Sequence, residues 1–160
     1  MIRTYRAEDK DYIINSHYEL YHREFKYDLS FRDFVLKSIG GFIERGDPHE
    51  NIFILDVNGK PSGSISIKKH DDTTAQLGLF LVEPVAQGTG YGQKLVEKAI
   101  TFSKEKGYNR IILWTNGELK AARKIYIKMG FELRETKTSF LSNQEIIEEK
   151  WERLIKGISG

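Results

Sequence analysis

The stretch from Leu77 to Gly92 limits most sharply what this chain can fold into. An apolar run, Leu77-Gly78-Leu79-Phe80-Leu81-Val82, halts at Glu83-Pro84, and a glycine-rich segment, Gln87-Gly88-Thr89-Gly90-Tyr91-Gly92, follows. A short apolar run ended by proline reads as a buried strand. Leu95, Val96, Ala99 and Phe102 then recur at helical spacing as far as Gly107, a residue suited to a left-handed cap. The unit is therefore strand, bare-backbone loop, helix. Three glycines at a helix entrance let backbone N–H groups approach a ligand at the positive end of the helix dipole, so an anion is the expected guest. The spacing matches neither G-x-G-x-x-G nor G-x-x-x-x-G-K-[ST], and no lysine or acidic partner stands where those motifs need one, which disfavours a nucleotide-binding protein.

Around this anchor the chain reads as one domain, 1–160. Its 160 residues can bury a core without staples, and 39% apolar with 30% charged residues is ordinary for a soluble protein. No apolar run spans a membrane and the start resembles no secretory leader, so a cytoplasmic protein is expected. A formal charge of +2, with its cations dispersed, gives no reason to expect nucleic acid. The absence of cysteine excludes disulfides, thiolate metal sites and a cysteine nucleophile, and no metal is expected.

Ahead of the anchor, the sequence predicts a strand over Ile2–Arg6, a helix from about Glu8 to Phe25, and a second helix capped at Ser30 and running to Glu44. Phe34, Val35, Ile39, Phe42 and Ile43 supply the second helix's apolar pattern. His17, Tyr21 and Glu24 fall on one face of the first. That face is either a packing surface, with Tyr21 in the core and His17 partly exposed, or a substrate-facing patch. Strands over 51–57 and 62–69 are joined by Asn58-Gly59, a strong hairpin signal, and His70 to Thr73 turn the chain into the anchor strand. Beyond the anchor come a strand over 110–115, parallel to the anchor strand because a helix separates them, a helix over 118–129, and strands over 131–136 and 145–155. Gly157 to Gly160 read as loose.

Gln87 to Gly92 resembles the Q/R-x-x-G-x-G motif of the GNAT N-acetyltransferases. Val82-Glu83-Pro84 stands before it, and Tyr126-Ile127-Lys128-Met129-Gly130-Phe131 stands where that family places its Tyr and Gly-Phe pair. Further stretches, His17 to Phe25, Phe42 to Pro48, and Leu113 to Leu119 with Ala121 to Tyr126, resemble the acetyltransferase domain found fused to MarR-type winged-helix regulators. No segment here is left to form a helix-turn-helix, so a stand-alone enzyme without DNA binding is expected. The resemblance implies an α+β GNAT fold: a mixed, mostly antiparallel sheet of six to seven strands, a central splayed parallel pair and about four helices.

It also implies acetyl-CoA as acyl-donor cosubstrate. Gln87, Gly88, Thr89, Gly90, Tyr91 and Gly92 would hold its pyrophosphate, and backbone at Leu81 and Val82 would hydrogen-bond the pantetheine arm. Many family members carry asparagine seven residues before the tyrosine, where this chain has Leu119. Asn116 is the nearest alternative, for the pantetheine or adenine end. Lys94, Lys98, Lys120, Arg123 and Lys124 either neutralise the cofactor's 3′-phosphate or are solvated helix faces.

Tyr126 is the residue assigned to the leaving thiol. An ordinary phenol is a weaker acid than a thiol by about 2 kcal/mol, so hydrogen-bonding the sulfur is expected of it rather than full proton transfer. The acceptor is a primary amine of small-molecule or peptide type, and only about 0.04% of a lysine-like amine is neutral at pH 7, so a group must take its proton. Gln76 stands where a carboxylate would serve. Glu83, Glu24, His17 or a water chain remain open as the base. Tyr18, Tyr21, Phe25, Tyr27 and Phe31 could shape the acceptor pocket. The expected function is direct acetyl transfer in a ternary complex, and the alternative is an acyl-CoA-sensing module of the same fold without turnover. An exposed carboxy-terminal strand would allow a homodimer.

Overall fold

The computed structural model describes residues 1–156, so the expectation for Gly157–Gly160 lies outside the described residues. Seven strands form one sheet: β1 (Ile2–Thr4), β2 (Asn51–Val57), β3 (Lys60–Lys69), β4 (Thr74–Val82), β5 (Arg110–Asn116), β6 (Glu132–Leu141) and β7 (Gln144–Leu154). Four α-helices cover it: α1 (Lys10–Phe25), α2 (Leu29–Arg45), α3 (Tyr91–Glu105) and α4 (Lys120–Lys128). The strand order is β1-β2-β3-β4-β5-β7-β6, and every neighbouring pair is antiparallel except β4 and β5. The helical crossover through α3 makes that one pair parallel.

Each face of the sheet has its own apolar layer. Leu95, Val96, Ala99 and Phe102 of α3 and Tyr126 of α4 pack with Ile65, Ile67, Leu77, Ile111 and Leu113. On the opposite face Ile13 and Ile14 of α1 and Val35, Ile39 and Phe42 of α2 pack with Ile52 and Ile54. Asn58 and Gly59 turn the β2–β3 hairpin at φ 54° and 76°, as a type I′ turn requires.

Several boundaries differ from the sequence expectation. The cap of α2 is Asp28, whose carboxylate accepts from the Ser30 amide at 2.9 Å, so Ser30 is inside the helix. Phe34 and Ile43 are exposed, leaving Val35, Ile39 and Phe42 as the buried stripe. β1 ends at Thr4, α4 begins at Lys120, and β6 runs on to Leu141 because β7 pairs with it along its length. The carboxy-terminal strand β7 is also interior, between β5 and β6, so the sheet's edges are β1 and β6 rather than the last strand.

Two irregularities in β4 build the site. First, β4 pairs with β5 only through Thr74–Arg110, Ala75–Ile111 and Gln76–Ile112; beyond these β4 keeps to β3 and β5 to β7, so the sheet parts at its centre. Second, Ser66 pairs with Gly78 and Ser64 with Leu81, which sets Leu79 and Phe80 opposite Ile65 alone. This is a β-bulge, and Leu79 takes the left-handed φ of 44° that accommodates the extra residue. The bulge breaks the period-two alternation: Leu77 joins the α3 face, but so do Phe80 and Val82, while Leu79 turns to the α1/α2 layer.

Candidate active site

The parted seam is a cleft of about 1100 Å³ that reaches both faces of the sheet. On the α3/α4 face it begins at the glycine loop. Gly88 and Gly90 have φ of 76° and 83°, with nothing within 4 Å of where a side chain would start. The loop's polar side chains turn back on their own backbone: Gln87 Nε2 donates to the Val82 carbonyl at 3.0 Å and the Thr89 hydroxyl to the Ala86 carbonyl. The first amides of α3 have no acceptor within the helix and carry the positive end of its dipole. Gly92 is glycine for another reason, since a Cβ there would lie 2.8 Å from Ile125 Cδ1 and close to Phe80 and Val82. Such a loop could hold a diphosphate, and past Gln76 the edge of β4 that faces β5, at Leu81 and Val82, has no strand neighbour.

Tyr126 lines the same cleft, 3% exposed, with its ring against Phe80, Phe131 and Trp151 at centroid distances of 6.0, 5.8 and 6.3 Å. Burial, and second the nearby Tyr21, push its hydroxyl well above the usual phenol range, so it stays protonated and acts as a donor.

The α1/α2 face supplies the other half. His17, partly exposed in the packing-surface reading, is 2% exposed because α1 sits directly on the Leu79 bulge. Its Nδ1 donates to the Ile13 carbonyl at 2.8 Å, and Nε2 is buried without a partner. Burial lowers its pKa to about 4, against a smaller opposing pull from the Ile13 and Leu79 carbonyls. Tyr21 is half-buried against the α1/α2 core; its ring stacks on Phe31 at 4.9 Å and its hydroxyl is held protonated by burial, then by Tyr27 and Glu24. Glu24 is exposed at the cleft mouth. The structure thus brings His17, Tyr21 and Glu24 to one wall, and only Tyr21 and Glu24 offer it a reachable polar atom.

Because native His17 is neutral down to about pH 4 while the unfolded chain takes a proton near 6.5, stability is full above pH 6.5 and falls as pH drops toward 4. The loss is about 3 kcal/mol. Urea unfolding of wild type and His17→Gln at pH 7 and pH 4.5 checks this: the difference between the two proteins shrinks at the lower pH.

Other sequence candidates have occupations of their own. Glu83 accepts from the Tyr12 hydroxyl at 3.0 Å. Asn116 uses both ends of its amide, donating to the Tyr27 hydroxyl at 2.8 Å and accepting from the Glu118 N–H at 2.9 Å. Arg123 is drawn to buried Glu149 at 2.8 Å, Lys98 lies over Phe53 and Lys94 over Tyr91. Lys120 and Lys124 are the two of that basic set that line the cleft. The bulge at Leu79 was missed in the sequence; Gly78 inside a strand and the Leu77, Phe80, Val82 spacing are the signals that point to it.

A family model described as the acetyltransferase (GNAT) family matches residues 10–131. An uncharacterised N-acetyltransferase of Methanocaldococcus jannaschii is 27% identical over 148 residues, which cover 88% of this chain and 64% of that protein, so the chain spans under two thirds of that relative's length. An N-acetyltransferase from Staphylococcus aureus shares the fold at a TM-score of 0.80 and 20% identity over 98% of both chains. A Salmonella typhimurium acetyltransferase, solved with its cofactor acetyl-CoA, does so at 0.75 and 16% identity, covering 100% of this chain and 96% of its own. Read with the parted β4–β5 seam and the glycine loop at the head of α3, these matches lead to one conclusion: the chain belongs to the GNAT acetyltransferase family.

Proposed function

We propose that the protein transfers the acetyl group of acetyl-CoA to a primary amine, directly, with both bound across the parted seam. The observation that carries this reading is the two-sided cleft. The glycine loop and Tyr126 stand on one face of the sheet, Tyr21 and Glu24 on the other, and the bulged backbone of β4 lies between them. The amides from Gly88 to Gly92 hold the pyrophosphate, Lys120 and Lys124 add charge at that end, and Leu81 and Val82 bind the pantetheine amides as an added strand would. Asn116, its amide already committed, shapes the pocket through Tyr27.

The reaction forms a C–N bond and breaks a C–S bond, and one proton leaves the amine as the thiol is released. A backbone N–H of β4 at the seam would stabilise the oxyanion as it develops; one such donor contributes about 3 kcal/mol. The Tyr126 hydroxyl hydrogen-bonds the departing sulfur without surrendering its proton. His17 is neutral and closed to the cleft at Nε2, so it supports the bulge and leaves proton removal to Glu24 or water. A membrane is no part of this reading, as no helix among the described residues is long and apolar enough to cross one.

Thiol release from acetyl-CoA, followed with a panel of primary amines, tests the proposal, and the cysteine-free chain adds no background. Amine-dependent release above hydrolysis is expected. Acetyl-CoA binding with no release for any amine would instead support a sensing module.

A further inference from the structure

A second recess, of about 230 Å³, opens beside the α1/α2 end of the cleft. Phe34, Lys37, Ser38 and Arg45 of α2 and Lys68 of β3 form it. Phe34, Ser38 and Lys68 line the cleft as well, so the two spaces are continuous. Three of the five residues are cations and none is acidic. Lys37 and Lys68 enter no ion pair among the described residues, whereas the adjacent Lys69 pairs with Asp72. Arg45 is fixed from behind, its Nε on Glu50 at 2.7 Å and its guanidinium over the Phe42 ring. Counting Glu50 against the three cations leaves two positive charges unanswered around a cavity with a hydroxyl on its wall and an apolar ring, Phe34, at its rim. Gathered like charges repel, and packing does not require them: Lys37 and Lys68 are both exposed, while Val35, Ile39 and Ile67 are among the residues their elements bury. An anion in the recess removes the repulsion and gains hydrogen bonds from all four polar groups.

We propose that this recess is an anion subsite for the acceptor: the amine substrate also carries a carboxylate or phosphate, which Lys37, Lys68 and Arg45 hold while its amino group reaches the seam beside Gly78. Lys68 pairs with Gln76, two residues before Gly78 on β4, so the subsite and the seam share one strand pair. Glu24 lines the cleft but not the recess, so on this side the α1 wall attracts a cation and the recess at α2 and β3 an anion. This inference rests on the acetyl-transfer reading for the role of the amine, but its binding test does not depend on turnover.

The test begins with titration of inorganic phosphate and of acetate at constant ionic strength, followed by amide NMR of Lys37, Ser38 and Lys68. It continues with a series of ω-amino carboxylates and their uncharged amides. Saturable binding in the millimolar range is expected, about 10-fold weaker in Lys68→Gln and in Lys37→Gln, with the carboxylates bound about 10-fold more tightly than their amides. Tighter phosphate than acetate would assign a phosphorylated acceptor, and the reverse a carboxylate. Absence of saturable shifts, affinities unchanged in both variants, or amides bound as well as carboxylates would overturn the proposal. Charged amines that bind selectively but never release thiol would remove acetyl transfer and keep the recess; amines that turn over with no preference for a negative group would do the opposite.

Discussion

Tyr126→Phe is expected to lower kcat by about 30- to 150-fold while leaving acetyl-CoA affinity unchanged within about 2-fold. The range follows from losing a hydrogen bond to a charged sulfur, about 2 to 3 kcal/mol, made only as the thiolate departs. The substitution is clean because phenylalanine keeps the ring that packs on Phe80, Phe131 and Trp151. Burial holds the wild-type hydroxyl protonated, so no limb of the pH–rate profile between pH 6 and 9 is owed to Tyr126, and the variant's profile should parallel the wild type. Single-turnover kinetics with an unchanged thermal midpoint is the check. Full activity in the phenylalanine variant would reduce Tyr126 to a packing residue.

Gly90→Val should weaken acetyl-CoA about 10- to 100-fold with the fold intact. Gly90 caps α3 at φ 83°, ψ 0°, and a β-branched residue there costs about 1 to 3 kcal/mol of strain. A Cβ at this position meets nothing within 4 Å, so the chain relieves the strain by turning the loop rather than by unfolding. That motion swings the amides of Tyr91 and Gly92 away from the anion. Calorimetric titration of acetyl-CoA into the variant measures the loss, and Gly90→Ala should lie between variant and wild type. An unchanged affinity would show that the pyrophosphate does not sit on these amides.

The difference between what the sequence made legible and what it did not follows the range of the interactions. Asn58-Gly59, the glycine loop and the α3 stripe are local signals, and each forms the predicted element. The parallel pairing of β4 and β5 followed from the helix between them. Long-range partners were not legible. Ser30 looks like a cap until Asp28, bonded also to Ser142 of the distant β6–β7 turn, is seen to take that role. β6 gains its extra residues only because β7 lies beside it. His17 is buried because the bulge at Leu79, itself hidden in an apolar run, meets α1 there. Asn116 and Arg123 bond Tyr27 and Glu149, partners 89 and 26 residues away in sequence.

Thermal unfolding with and without saturating acetyl-CoA tests the cleft assignment most directly. A ligand at about 100 times its Kd stabilises the native state by about 2.7 kcal/mol, so the midpoint should rise by several degrees, and by much less in Gly90→Val at the same concentration. No rise at millimolar acetyl-CoA would contradict the assignment of the glycine loop, and with it both the transferase and the sensing readings of this fold.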